Sequence, residues 1–535
     1  MKLKTIFTAL TLLAAVMTGL AQNPYMPMWE HIPDGEPYVF EDPDKPGEYR
    51  VYVYGSHDSL IKYYCGREQV VWSAPVNDLS NWRYDGVIFE NRCDRDGNLL
   101  NADGVGDVLY APDVTVRTEK GVKVYYLYPN VQSDERSTLV ARSLRPDGPF
   151  EVCNWDPENP RRTVGTLGFD PAVFVDDDGR VYGYWGFGES YGAELDPNTM
   201  ATVKPGCEAV HNLISGLDKE GIFQFFEASS IRKIKDKYIL IYSRMSPQAE
   251  SGIDKSNYNL SYAYSDNPLG PFTYGGIVID ARGRDVDESG KPVATACPFG
   301  NTHGGIVEIG GQWWVFYHRQ TGTDQYSRQA MVASITIDVE EGPGGKVHIA
   351  EGEVTSEGFR TEGLDPLAKS AAGWACYFVN PDGATESFPN FFFSGSYVKA
   401  SRTSDQSPWF GPYNLKQPLC PVVNNTSGSV VGFKYYNFDR IANLKNIKLK
   451  AHFKPEGVEG TVRVLVGGPS ERRGGILIGE FRISASDPKQ LSEYITPVSS
   501  LDGIKGKKPL FFVFESKSKG VSICEFLDFQ FVAYS

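Results

Sequence analysis

Cysteine is scarce and unpatterned in this chain of 535 residues. Cys65, Cys93, Cys153, Cys207, Cys297, Cys376, Cys420 and Cys524 form no Cys-x-x-Cys pair, and none stands at ligand spacing from a histidine. That density excludes a disulfide-built scaffold. Without a His-x-x-x-His pair or a carboxylate cluster there is also no frame for catalytic zinc. Positive charge is in deficit: 53 Lys and Arg against 67 Asp and Glu leave a net charge of −14. The charge is dispersed, with no basic stripe, which excludes nucleic acid as a partner. After residue 21 no run is apolar enough to span a bilayer, so no membrane span is expected. No stretch sustains a helical period, which excludes a parallel α/β sheet with helical crossovers. An all-β protein is what remains.

The first residues, MKLKTIFTALTLLAAVMTGLAQ, carry Lys2 and Lys4 before an apolar run from Thr5 to Leu20, with small residues at Gly19 and Ala21. The run is short and lacks a charged stop-transfer flank. Residues 1–21 are therefore expected to be a cleaved secretory signal, and the mature protein to be exported, periplasmic or extracellular. No Cys follows the cleavage site, which argues against a lipid-anchored precursor.

Five later segments are variations on one unit: DGEPYVFEDPDKPGEYRVYVYGSHD from Asp34, APDVTVRTEKGVKVYYLYPN from Ala111, DPAVFVDDDGRVYGYWG from Asp170, EASSIRKIKDKYILIYS from Glu227 and HGGIVEIGGQWWVFYHRQ from His303. Each joins a short apolar strand through an Asp, Gly or Lys turn to an aromatic-rich strand. Repetition at such spacing predicts a five-bladed β-propeller over residues 22–357. DLSNWRYDGVIFE and NPLGPFTYGGIVID are the expected outer strands of blades. A polar, Gly-rich stretch at 352–363 has no strand pattern. Beyond it, residues 364–535 hold short alternating strands such as NIKLKAHFK and ICEFLDFQFVA, predicting an accessory β-sandwich, jelly-roll-like.

The repeat sets the leading residue of every unit at the start of an innermost strand, around one axis. In three units that residue is a carboxylate: Asp34, Asp170 and Glu227. Cutting a glycosidic bond needs one carboxylic acid to protonate the leaving oxygen and a second carboxylate to activate water or attack the sugar. A third charge nearby helps hold the acid protonated. Each acid also has a plainer reading, since Asp before Pro at 170–171 is a common turn. Glu227, preceded by two Phe, is badly sited for a solvated surface residue.

The motifs around Asp34, the APDV at 111–114, GFDPAVFVDDDG at 168–179, FFEASSIRKIKDKYILIYS at 225–243 and NTHGGIVE at 301–308 resemble glycoside hydrolase family 43, in the family's order. The resemblance implies a five-bladed propeller with inverting chemistry, Asp34 as general base, Glu227 as general acid, and Asp170 raising and orienting the acid. The family has its base directly before Pro. This chain reads Asp34-Gly35-Glu36-Pro37, which leaves Glu36 as a rival for the base. His57, Asp58, Asp113, Trp185 and Arg328 are the candidate substrate contacts, with Asp113 either binding substrate or positioning a neighbour and Trp185 either stacking on a pentose ring or filling a blade interface. His303 should face the channel, where the family resemblance implies a structural calcium or a water; it is the one candidate metal residue, and no cofactor is required for the chemistry. Calcium prefers oxygen ligands, so His303 alone does not define its site. The last hundred residues resemble a family 6 carbohydrate-binding module, with Trp409, Phe410 and Tyr413 either lining a sugar site or packing on the propeller.

The function implied is an exo-acting glycosidase on oligo- or polysaccharide with pentose side chains. α-L-Arabinofuranosidase is the first reading and β-xylosidase the second. A sugar-binding propeller without catalysis predicts loss of at least one acid, and a protein-interaction platform predicts no convergent carboxylates.

Overall fold

The aromatic-rich strands are apolar on both faces, and the computed structural model gives the reason. It describes residues 21–60, 63–217, 221–296, 300–321, 326–380, 384–385, 392–393, 395–399, 420–499 and 501–533. The expected signal segment, apart from Ala21, and the aromatics Trp409, Phe410 and Tyr413 lie outside the described residues. Each aromatic-rich strand sits within a sheet pressed between two neighbouring sheets. Successive side chains of a strand point to opposite faces. Val51 and Val53 therefore join one core cluster while Tyr52 and Tyr54 join the next. Likewise Leu240 and Tyr242 pack towards one neighbour, and Ile239 and Ile241 towards the other.

Five antiparallel sheets are built this way, each in sequence order. Blade I is β1 (Glu36–Glu41), β2 (Tyr49–Gly55), β3 (Glu68–Pro75) and β4 (Arg83–Glu90). Blade II is β5 (Tyr110–Glu119), β6 (Val122–Asn130), β7 (Ala141–Ser143) and β8 (Glu151–Val152). Blade III is β9 (Ala172–Val175), β10 (Val181–Trp185), β11 (Tyr191–Leu195) and β12 (Val210–His211). Blade IV is β13 (Phe225–Ile234), β14 (Lys237–Arg244), β15 (Asn259–Ser265) and β16 (Thr273–Asp280). A hairpin of β17 (Arg284–Val286) and β18 (Pro292–Ala294) leads to blade V, formed by β19 (Ile306–Ile309), β20 (Gln312–Gln320) and β21 (Arg328–Ile335). Apolar clusters join I to II, II to III, III to IV, IV to V and V back to I. The ring closes on itself: this is the expected five-bladed β-propeller.

Blade V has three strands of its own, and the chain's early residues cover its outer edge. Asn23 Nδ2 donates to the Val332 carbonyl at 2.7 Å, and the Val332 N–H donates to Asn23 Oδ1 at 3.0 Å. One amide side chain thus mimics a strand partner. At the axis a parallel bridge between Gly35 and Gly304 links the entrances of blades I and V.

Beneath those entrances one polar network crosses the axis. Glu36 Oε1 accepts from Ser230 Oγ and Arg232 Nη2, both at 2.7 Å. Arg232 also donates to the carbonyls of Pro37 and Ile306 and lies over the Tyr38 ring. The Tyr38 hydroxyl donates to Asp113 Oδ1 at 2.6 Å, and Asp113 Oδ2 accepts the Val173 N–H at 2.7 Å. Glu36 and Tyr38 come from blade I, Asp113 from II, Val173 from III, Ser230 and Arg232 from IV, and Ile306 from V. All five blades are tied at one level.

The C-terminal region forms two facing sheets, a β-sandwich as expected. One runs through Val430–Asn437, Lys507–Glu515, Gly460–Val466 and Ile476–Ile483; the other through Cys524–Ala533, Ile447–Pro455 and Ser492–Pro497. The strand Ser492–Pro497 escaped the sequence reading, because SEYITP carries too few apolar residues to stand out. The sandwich meets the propeller through Arg473, whose Nη2 lies 2.9 and 3.0 Å from the two carboxyl oxygens of Asp285, and through Arg319, which donates to the carbonyls of Ala375 and Gly373.

Candidate active site

Asp34, Asp170 and Glu227 reach the axis because the backbone turns sharply where the chain enters an inner strand. Asp34 and Asp170 precede β1 and β9 in the left-handed region, at φ 59° and 47°. Asp tolerates that region better than most side chains. Glu227 sits within a bulge of β13, and its successor Ala228 has φ 68°. A bulge re-aims a side chain without ending the strand. Backbone strain of this kind persists where surrounding structure over-determines it.

The three acids line one cavity of about 400 Å³, together with Arg328, His303 and Asn301. Its walls are aromatic. Tyr63 and Tyr64 stand on one side; Phe169, Phe187 and Phe226 come from the entrances of blades III and IV. Phe187 packs edge to ring with Phe169 and tilted against Phe226, both at 5.1 Å between centroids, yet remains 57% exposed. Sugar C–H faces stack on such rings.

The acids differ in electrostatic setting. Asp34 is buried, which by itself would raise its pKa, but neighbouring groups reverse the sign and hold it below the ordinary value. Arg328 Nη1 lies 3.3 Å from Asp34 Oδ1, and the Ser56 hydroxyl donates to Oδ2 at 2.5 Å. His318 Nδ1 accepts the Asp34 N–H at 3.1 Å, and its Nε2 faces the Asn301 carbonyl at 2.8 Å. Burial lowers the His318 pKa to about 4, so a neutral ring pins the backbone of Asp34.

Glu227 is the opposite case. Burial first, then the charge of Asp170, push its pKa well above the carboxylate range. Its carboxyl has no hydrogen bond among the described residues. Asp170 Oδ1 accepts from Asn130 Nδ2 at 2.7 Å, and Oδ2 accepts the Ala228 N–H at 3.2 Å, so Asp170 holds the peptide that follows Glu227. His303 Nδ1 lies 3.5 Å from Asp170 Oδ2. Burial would lower the His303 pKa, but Asp170 and the other acids lift it to about 9. One cavity thus holds a depressed carboxyl and an elevated one.

Of the expected substrate contacts, Arg328 lines the cavity. Asp58 does not: it grips Arg328 from below, with Nε–Oδ2 at 2.9 Å and Nη2–Oδ1 at 2.8 Å, and so positions the guanidinium. His57 does not either. It is buried between Glu30 and Glu68, 3.1 Å from each, and they outweigh burial to raise its pKa to about 10. Asp113 belongs to the network beneath the acids, where burial and then Glu36 raise its pKa to about 7. Trp185 packs between blades II and III, stacked on Tyr191 at 5.7 Å. The correction has one cause in all four: strand position indicates which end of a blade a residue occupies, not whether its side chain turns towards the axis or into a blade interface.

Glu36, the rival base, is bound to Ser230 and Arg232 below the cavity and does not line it. His303 lines the cavity beside Asp170. Among the described residues no group of three or more His, Cys, Asp or Glu is placed to hold a metal ion. Tyr63, Tyr64, Phe169, Phe187, Phe226, Asn301 and His318 were missed by the sequence reading. For Phe226 the sequence carries a signal, the FF pair before Glu227.

The chain has relatives among known proteins. The family model of glycosyl hydrolases family 43 matches residues 37–343. A xylosidase/arabinosidase of Thermoclostridium stercorarium is 33% identical over 461 residues, covering 82% of this chain and 86% of the relative. A beta-xylosidase of Xylanibacter ruminicola is 30% identical over 256 residues, 42% of this chain and 70% of the relative. An arabinoxylan arabinofuranohydrolase of Paenibacillus polymyxa is 28% identical over 313 residues, 56% of this chain and 45% of the relative. A family match across more than half of the sequence, joined to a relative that spans most of both proteins, makes this chain a member of glycosyl hydrolases family 43.

Proposed function

We propose that the chain is an exported, inverting, exo-acting α-L-arabinofuranosidase that removes terminal pentoses from the side chains of plant polysaccharides. Family membership makes it a glycosidase hydrolysing O-glycosyl bonds; sugar, stereochemistry and export are our reading. One observation carries it: a single cavity holds Glu227 with a raised pKa and Asp34 with a lowered one. Glu227 donates its proton to the glycosidic oxygen as the bond to the anomeric carbon breaks. Asp34 takes a proton from a water attacking that carbon from the opposite face. Asp170 keeps Glu227 protonated and fixes its peptide, and Arg328 holds Asp34 ionised and is sited to hydrogen-bond the sugar. The exo reading draws on size, since a cavity of about 400 Å³ lies at the small end of ligand sites and suits a terminal residue better than a running polymer.

A β-xylosidase is the second reading, favoured by the beta-xylosidase among the relatives. Hydrolysis of 4-nitrophenyl α-L-arabinofuranoside and β-D-xyloside, by the wild type and by Glu227→Gln, separates the two. Undiminished activity in Glu227→Gln would sink the acid assignment. Proton NMR of the first-formed anomer tests inversion, which needs the two carboxyls roughly 6.5–9.5 Å apart.

A further inference from the structure

The bond that pins Asp34 also settles how a neighbouring side chain is turned. His318 Nδ1 accepts the Asp34 N–H at 3.1 Å. A backbone amide can only donate, so the neutral ring carries its hydrogen on Nε2. That Nε2 faces two oxygens of one residue, the Asn301 carbonyl at 2.8 Å and Asn301 Oδ1 at 3.2 Å. Arg328 Nη1, another group that can only donate, lies 3.5 Å from the same Oδ1. Gln320 Nε2 is a third donor, at 3.3 Å. Gln320 alone would fit either orientation of the Asn301 amide, since its own amide can turn. The imidazole and the guanidinium fit only one. They draw the oxygen of the Asn301 amide towards themselves and leave its nitrogen over.

Asn301 Nδ2 has no hydrogen-bond partner among the described residues, yet it keeps accessible surface. Asn301 is half-buried and lines the cavity of the three acids, whereas His318 is fully buried. Two N–H bonds are thus available to whatever fills that cavity. A sugar has use for them. Ionised carboxylates accept from its hydroxyls but offer nothing to the oxygen lone pairs of those hydroxyls, which need donors.

We propose that Asn301 is a sugar-binding residue of the acid-lined cavity, its Nδ2 donating to a hydroxyl oxygen of the terminal pentose, and that His318 is the positioning residue that turns the amide for this task. That the ligand is a terminal pentose rests on the function proposed above; the orientation of the amide does not. One imidazole then holds the backbone of the base with one nitrogen and the sugar-binding amide with the other, which keeps base and sugar in register.

The test is equilibrium binding of 4-nitrophenyl α-L-arabinofuranoside and β-D-xyloside to the full chain carrying Glu227→Gln, which separates binding from turnover. Adding Asn301→Ala should weaken binding of at least one glycoside about tenfold. His318→Asn keeps an acceptor where Nδ1 stands but falls short of Asn301. It should weaken binding by a similar factor and, with Glu227 restored, raise KM by more than it lowers kcat. Joined to Asn301→Ala it should add little, because both changes remove the same hydrogen bond. Unchanged affinity in a folded Asn301→Ala overturns the sugar contact. Losses that simply add, or a His318→Asn loss confined to kcat, overturn the positioning role. If Asn301→Ala does not fold, a glycoside-soaked crystal of Glu227→Gln decides: a sugar oxygen within about 3.2 Å of Nδ2 supports the contact, and water alone there overturns it. The catalytic reading fails separately, by a Glu227→Gln that still hydrolyses; the effect of Asn301→Ala is then read in KM.

Discussion

The centres of the two regions are filled in opposite ways. In the sandwich, Phe433, Phe453, Phe512, Phe526 and Phe529 meet ring against ring, the closest pairs 4.7 and 4.9 Å apart. In the propeller the apolar clusters lie between blades, and the axis holds Glu36, Arg232, Asp113 and, above them, the three acids. The difference has a physical source. Two facing sheets have one shared interior, which must be apolar to hold them together. Five radial sheets have five interfaces and gain their burial there, which leaves the axis free to hold charge. Buried charges shift one another's pKa most strongly where water is excluded, so the axis suits catalysis and the sandwich centre does not.

Breaking each centre should therefore have different consequences. The largest effect is expected at the axis. Asp34→Asn should lower kcat/KM by about 10²–10⁴-fold. Glu36→Gln should lower melting temperature far more than rate, because Glu36 balances Arg232 instead of facing the cavity. Initial rates and melting curves of both variants decide which of these acids is the base.

Stability comes next. Phe526→Ala in the sandwich should cost about 3–5 kcal/mol with kcat retained. Arg232→Met should cost a similar ~3–5 kcal/mol, because it strands Glu36 as a buried charge. Adding Glu36→Gln should recover part of that loss, whereas no second polar change rescues Phe526→Ala. Denaturant titration, fitted with a transition for each region, measures both.

A smaller effect is expected in the pH profile. On the proposed mechanism Glu227 acts protonated, so the rate should fall as pH rises through its raised pKa. Asp34 acts ionised, so the rate should also fall as pH drops through its lowered pKa. Asp170→Asn removes a negative charge that favours protonated Glu227, so the alkaline limb of kcat/KM should move to lower pH. His303→Gln removes a positive charge that opposes it, and the limb should move to higher pH. Shifts of the same sign would break the charge argument.

Smallest is the aromatic wall. Phe187→Ala should raise KM by about tenfold or less with kcat little changed. Trp185→Phe should leave KM alone, since Trp185 packs between blades.

Much of this was legible in the residues. Apolar strands joined through an Asp, Gly or Lys turn, five times over, indicate blades buried on both faces, and a carboxylate opening three of the units marks the axis. Asp34, Asp170 and Glu227 share one cavity because repetition assigns a residue to the same end of every blade. The same rule offers His57 and Asp58 as sugar contacts and leaves Asp113 and Trp185 between two roles, because the end of a strand offers more than one direction to a side chain. Asp58 turned beneath Arg328, His57 between two glutamates, and Trp185 into a blade interface.

The sequence by itself determined an all-β chain, five blades, a following sandwich and three candidate acids. These depend on local alternation and repetition, which neighbouring residues encode. Only the tertiary structure decided which acid is held charged and which protonated, that Glu36 lies below the site, and which rings form its walls. Those outcomes depend on groups far apart in the chain, Asp34 with Arg328 and Asp170 with Ala228, and on the exclusion of water when the blades close.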